Sequence, residues 1–203
     1  RGGRNEISDR MKTDEHTEKM GALVRMLRRD INGAVVGRME ELGVRYVSNW
    51  GVSLHAVRRA AALFAPDHAF ARFLYGKQLR ELLLSAFVVA DPESVTAEEL
   101  AFWGAGVTNA ELAENLAFSL LSHTSLAGPL AEEWLRADAA PLLRYCALLA
   151  LARMRDGDGR LPDGVDGVEL AARFADDESA LVRKAAEALA DGGLQAWMAK
   201  APR

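Results

Sequence analysis

A chain of 203 residues that is 50% apolar and 27% charged carries enough hydrophobic surface for a packed core, which excludes a disordered or collagen-like protein. Its single cysteine, Cys146, closes no internal disulfide, and no apolar run approaches the ~18 residues of a membrane span, so a cytoplasmic protein with no membrane partner is expected. A net charge of −4 argues against strong indiscriminate attachment to nucleic acid.

Residues 1–10 are polar and contain glycine, so they read as a flexible leader, followed by one domain over residues 11–203. From Thr17 onward, Met20, Leu23, Val24, Leu27 and Ile31 recur at helical spacing, and Val35, Val36, Met39 and Leu42 continue the same pattern until Gly43 stops it. Ser53-Leu54 opens a helix ended by Pro66, and Asp67 caps the next, through Phe70, Phe73 and Leu74. Residues 79–89 are almost wholly apolar after Glu81 and predict a central helix. Thr96 with Glu99, and Thr108 with Glu111, have the spacing of capping boxes, in which hydroxyl and carboxylate each take a backbone N–H of the other residue. Pro129 lies near the start of a helix ending about Arg136. Asp138 and Pro141 open one running to about Arg155, and Asp177 or Ser179 opens one that Gly192-Gly193 closes. No period-two strand pattern appears, so the expected fold is all-α: about nine to eleven short helices paired as antiparallel hairpins in a curved α-solenoid.

Charge is unevenly spread. Residues 1–90 hold 15 Lys and Arg against 10 Asp and Glu, and residues 91–203 hold 10 against 19, so a polyanion should meet the N-terminal half first. Most familiar chemical motifs are absent. The Asp156 to Arg160 run lacks the turn glycine and closing glutamate of a calcium loop, and His16, His55, His68 and His123 share no metal-ligand spacing. Gly76-Lys77-Gln78 lacks the hydroxyl of a phosphate-binding loop, and no nucleophile elbow occurs. No metal or cofactor is expected. Cys146 sits in an apolar helical run, where a buried structural thiol is the expectation. What remains is polar residues on apolar helices: Glu111 and Glu114, three apart on one face, and Arg144 at the head of another apolar helix.

In order and spacing these features resemble the DNA alkylation repair proteins built from HEAT-like repeats. The resemblance covers roughly residues 51–189. It rests on Gly51-Val52-Ser53-Leu54 with Arg58, Leu79-Arg80-Glu81, the Asp91 to Trp103 block, Trp134 with Arg144 ten residues on, and Val182-Arg183-Lys184-Ala185. It implies a HEAT-like, ARM-type superhelix that holds duplex DNA in a concave groove, with glycosylase activity on cationic alkylated purines. The family's Trp-Asp-x-x-Asp element falls on Ala110-Glu111-Leu112-Ala113-Glu114, so the resemblance assigns the catalytic acid to Glu114, a secondary acid to Glu111 and the backbone-holding arginine to Arg144. Arg58, Arg80, Arg183 and Lys184 are expected beside Arg144 as further DNA contacts. The family's two aromatic walls fall on Ala110 and near Ala188, where this chain has none. Without walls to exclude water from an oxocarbenium-like sugar, DNA binding becomes the leading expectation and base release the subordinate one. The alternative is a non-catalytic solenoid that binds a protein partner.

Overall fold

The computed structural model describes the backbone of residues 2–158 and 161–193, with side chains described from Met11 onward except at residues 156–158 and Asp163. The side chains of the leader expected over residues 1–10, and those of the Asp156 to Arg160 run, lie outside the described residues. Among the described residues the chain is all-α, and an isolated parallel bridge between Ser48 and Leu79 is the nearest approach to a sheet. Its contacts divide it into two compact units, residues 1–91 and 92–203.

The first unit comprises α1 (Gly2–Leu27), α2 (Gly33–Glu41), α3 (Leu54–Ala61), α4 (His68–Tyr75) and α5 (Arg80–Val89). The single helix expected from Thr17 to Leu42 is two. Asn32 breaks it, because its side-chain oxygen accepts from the N–H groups of Ala34 and Val35 and so starts a new helix. The apolar positions around and beyond the break bury little: α2 has no fully buried residue, Val36 and Met39 are half-buried, and Ile31 and Leu42 are exposed. Ser53 and Asp67 cap α3 and α4 as their positions predict, accepting from Ala56 N and Phe70 N. Asp67 also takes Lys19 Nζ from α1 at 2.8 Å. Helix α5 packs on α3 and α4 and buries Leu82, Leu84, Phe87 and Val89, each contributing about 1.5–3 kcal/mol of transfer free energy.

A buried polar knot fixes the loop before α3. Glu81 is fully buried, and its carboxylate accepts from Arg80 Nη1 at 2.9 Å and from the N–H groups of Trp50 and Val52 at 3.2 Å each. The same Arg80 nitrogen donates to Val52 O at 2.9 Å. Asn32 N donates to Trp50 O at 2.8 Å, which draws the α1–α2 junction onto that loop. Gly51 has φ +68°, and a Cβ there would lie 2.2 Å from Asn32 O, so glycine is needed for both the conformation and the approach.

The second unit comprises α6 (Leu100–Ala105), α7 (Ala110–Ser119), α8 (Ala127–Glu133), α9 (Pro141–Asp158), α10 (Gly167–Arg173) and α11 (Ala180–Ala190). Helix α9 is buried on all sides from Tyr145 to Ala152 because α7 and α11 both pack against it. Trp134 is buried against Gly104, where a Cβ would sit 3.0 Å from the indole. Neither expected capping box forms. Asn109, not Thr108, caps α7, since its Oδ1 receives Leu112 N at 3.0 Å and shifts the start by one residue. Thr96 makes no cap bond and its hydroxyl bonds Glu98 instead, leaving a 3-10 turn there. Asp166 caps α10, which the apolar pattern had not marked out, and of the two caps offered for α11 the structure uses Ser179.

Candidate functional site

Helices α7 and α9 bring Glu114 and Tyr145 together. Tyr145 is 7% exposed, and its hydroxyl donates to Glu114 Oε1 at 2.7 Å. Burial, then the hydrogen bond and charge of Glu114, push the phenol above its ordinary range, so it stays a donor. Glu114 itself is half-buried. It is therefore a carboxylate held in one orientation by a neutral donor, with part of its surface open. Glu111 lies one turn earlier on α7, half-buried, and its backbone carbonyl accepts from Asn115 Nδ2 at 2.8 Å. The position of the family's first aromatic wall, Ala110, is half-buried, while Ala188 is 1% exposed and belongs to the core.

The arginines expected on DNA are mostly engaged by the chain itself. Arg144 donates through Nη1 to the carbonyls of Ala137 and Ala139 at 3.1 and 2.9 Å. Its Nε lies 3.2 Å from Asp177 Oδ2, close enough for an ion pair although angled off a hydrogen bond. Arg183, on α11, donates to the carbonyls of Asp177 and Glu178. The loop before α11 is thus clamped from two helices, and Asp177 Oδ1 additionally accepts Ser179 N at 2.8 Å. Lys184, next along α11, is exposed. In the first unit Arg58 is exposed on α3, whereas Arg80 is 3% exposed and committed to the polar knot. The seven residues singled out by sequence are thus divided between the units: Glu111, Glu114, Arg144, Arg183 and Lys184 in the second, Arg58 and Arg80 in the first.

Two participants escaped the sequence reading. Tyr145 looked like one more apolar position, although a buried phenol usually takes a hydrogen-bond partner. Asp177 looked like a helix cap. Burial also raises the thiol of Cys146, which is fully buried, so it stays protonated and structural. Among the described residues no cluster of His, Cys, Asp and Glu could hold a metal, and no helix is long and apolar enough to cross a membrane.

Electrostatics separate the units further. Residues 1–91 hold 15 Lys and Arg against 11 Asp and Glu, and residues 92–203 hold 10 against 18, a formal +4 and −8. The carboxylate pair of α7 sits in the acidic unit, and the basic surplus lies in the other.

No protein-family model and no curated protein matches the chain. Among solved structures it is similar to one described as "A new family of proteins related to the HEAT-like repeat DNA glycosylases with affinity for branched DNA structures", at 15% sequence identity and a TM-score of 0.68, covering 83% of this chain and 73% of that one. The chain has the all-α HEAT-like repeat fold of that structure.

Proposed function

We propose that this chain binds DNA, branched structures included, through phosphate contacts made chiefly by its first unit, with base release subordinate to binding. The observation that carries this reading is the fold likeness to a structure described by its affinity for branched DNA. Charge supports the division of labour, because a polyanion gains by counterion release at the +4 unit and is repelled at the −8 unit. The engaged state of Arg144 and Arg183 supports it too: their donors serve carbonyls of the chain. Arg58 is an exposed contact of the proposed interface, and Lys184 is exposed on the second unit. A cytoplasmic location and joint action of residues 11–203 belong to the same proposal.

The test is fluorescence anisotropy with a three-way junction, a flap and a linear duplex over a salt series. Affinity should fall steeply with salt, by about 0.9 in log–log slope for each phosphate neutralised. Absence of binding at low salt would overturn this reading and favour the protein-interaction scaffold.

One observation favours a second reading, residual glycosylase activity: Glu114 is half-exposed and oriented by Tyr145. A carboxylate so placed could steady a cationic sugar, and a lesion such as seven-methylguanine asks least of it, being already a good leaving group. Glu114→Gln keeps the shape and the bond from Tyr145 while removing the charge. Release by the parent that disappears in this variant would establish the second reading.

A further inference from the structure

A cleft of about 280 Å³ opens in the first unit where the end of α1 meets α3. Its size lies just below the roughly 300–1,000 Å³ of small-ligand sites, so it takes no more than one nucleotide and not a duplex. Leu27 and Ala60, both buried, contribute apolar lining, and Leu63, 71% exposed, stands at its edge. Arg29, Arg59 and Asp30 also line it. Arg29 and Arg59 are exposed and make no ion pair or hydrogen bond with any described residue. They differ in this from Arg80, Arg144 and Arg183, whose donors are taken up inside the chain.

Two cations beside an apolar wall are an unusual reward for a fully paired duplex, whose bases are stacked away from the protein. They suit a nucleotide that presents a phosphate and a bare base together, the phosphate to guanidinium and the base face to aliphatic carbon. The Asp30 carboxylate adds an acceptor for an exocyclic amino group. We propose that this cleft receives one unpaired nucleotide of a branched DNA, its phosphate held by Arg29 and Arg59 and its base laid against Leu63. The proposal rests on the DNA-binding reading above and adds the place and the chemistry by which a branch is told from a linear duplex.

The experiment uses the full chain and three DNAs of equal length: a fully paired duplex, a duplex with a single-stranded flap, and the same flap with abasic sites. Parent protein should prefer the flap to the duplex by about tenfold, and abasic sites should remove most of that preference. Leu63→Ser and the double variant Arg29→Gln/Arg59→Gln change exposed side chains, so unfolding midpoints should stay near the parent's. Leu63→Ser should lower flap affinity at least about fivefold and duplex affinity far less, whereas the arginine double variant should lower both, the flap by at least about fivefold more than the duplex. Equal parental affinity for flap and duplex, or equal loss on both DNAs in the variants, overturns the cleft while leaving DNA binding intact. Failure of the parent to bind any of the three overturns DNA binding and the cleft with it.

Discussion

Glu81→Ala removes the carboxylate at the centre of the first unit's polar knot. In the parent it neutralises Arg80 and accepts from two backbone N–H groups, at 2.9, 3.2 and 3.2 Å, with no exposure to solvent. The variant leaves a guanidinium that is 3% exposed without the carboxylate that neutralises it, although it still donates to Val52 O, and leaves the Trp50 and Val52 N–H groups without that acceptor. Removing one partner of a buried pair costs about 3–5 kcal/mol, because the surviving charge stays desolvated. For a chain of this length each kcal/mol lowers the unfolding midpoint by about 2–4 °C, so a fall of about 6–20 °C is expected. Thermal unfolding followed by far-ultraviolet circular dichroism measures it, and urea unfolding checks that the slope is unchanged. The double variant Arg80→Met/Glu81→Leu should recover part of the loss, since it buries no orphaned charge. A midpoint within about 3 °C of the parent for Glu81→Ala would refute the reasoning, by showing that the pair contributes less than about 1 kcal/mol.

Gly51→Ala should cost about 2–5 kcal/mol, from the positive φ and from driving Asn32 O out of its place, whereas Gly37→Ala, in open space on α2, should stabilise by about 0.5–1 kcal/mol; urea midpoints of the two variants check the contrast. Asp67 is pulled up by burial, but the bonds from Lys19 Nζ and Phe70 N more than offset this and hold it below its ordinary value. Its folded form therefore binds protons less readily than the unfolded chain, so its contribution is complete above the unfolded value near 3.8 and is lost as pH falls through the lower folded value. Asp67→Asn keeps the cap acceptor and removes the charge; its stability deficit against the parent should be present at pH 7 and shrink in acid, read from urea midpoints across the pH range. Arg144→Ala should destabilise the second unit by about 1–3 kcal/mol through the lost clamp on the 137–139 carbonyls and Asp177, while DNA affinity of the folded protein changes less than about twofold; thermal unfolding and anisotropy read the two effects separately.

The all-α architecture was legible in sequence wherever the deciding interactions are local. Ser53, Asp67 and Ser179 cap the helices they precede because a cap needs only a side-chain oxygen and an N–H three residues on. The apolar run of α5 announced a central helix because a helix apolar all round has no face to give to water. The same local reasoning failed where two caps competed, as Asn109 displaced Thr108, and where a cap went unrecognised, as Asn32 cut one expected helix into two. Roles of charged residues were not legible in this way. Arg80 and Arg144 look alike in sequence, as arginines at the heads of apolar helices, and tertiary structure gave one the carbonyl of Val52, 28 residues before it, and the other the carboxylate of Asp177, 33 residues after it. Glu114 acquired its orientation from Tyr145, 31 residues on. A helix start is set by neighbours within one turn, but whether a charge faces solvent, DNA or a buried partner depends on groups that only packing brings within hydrogen-bond distance.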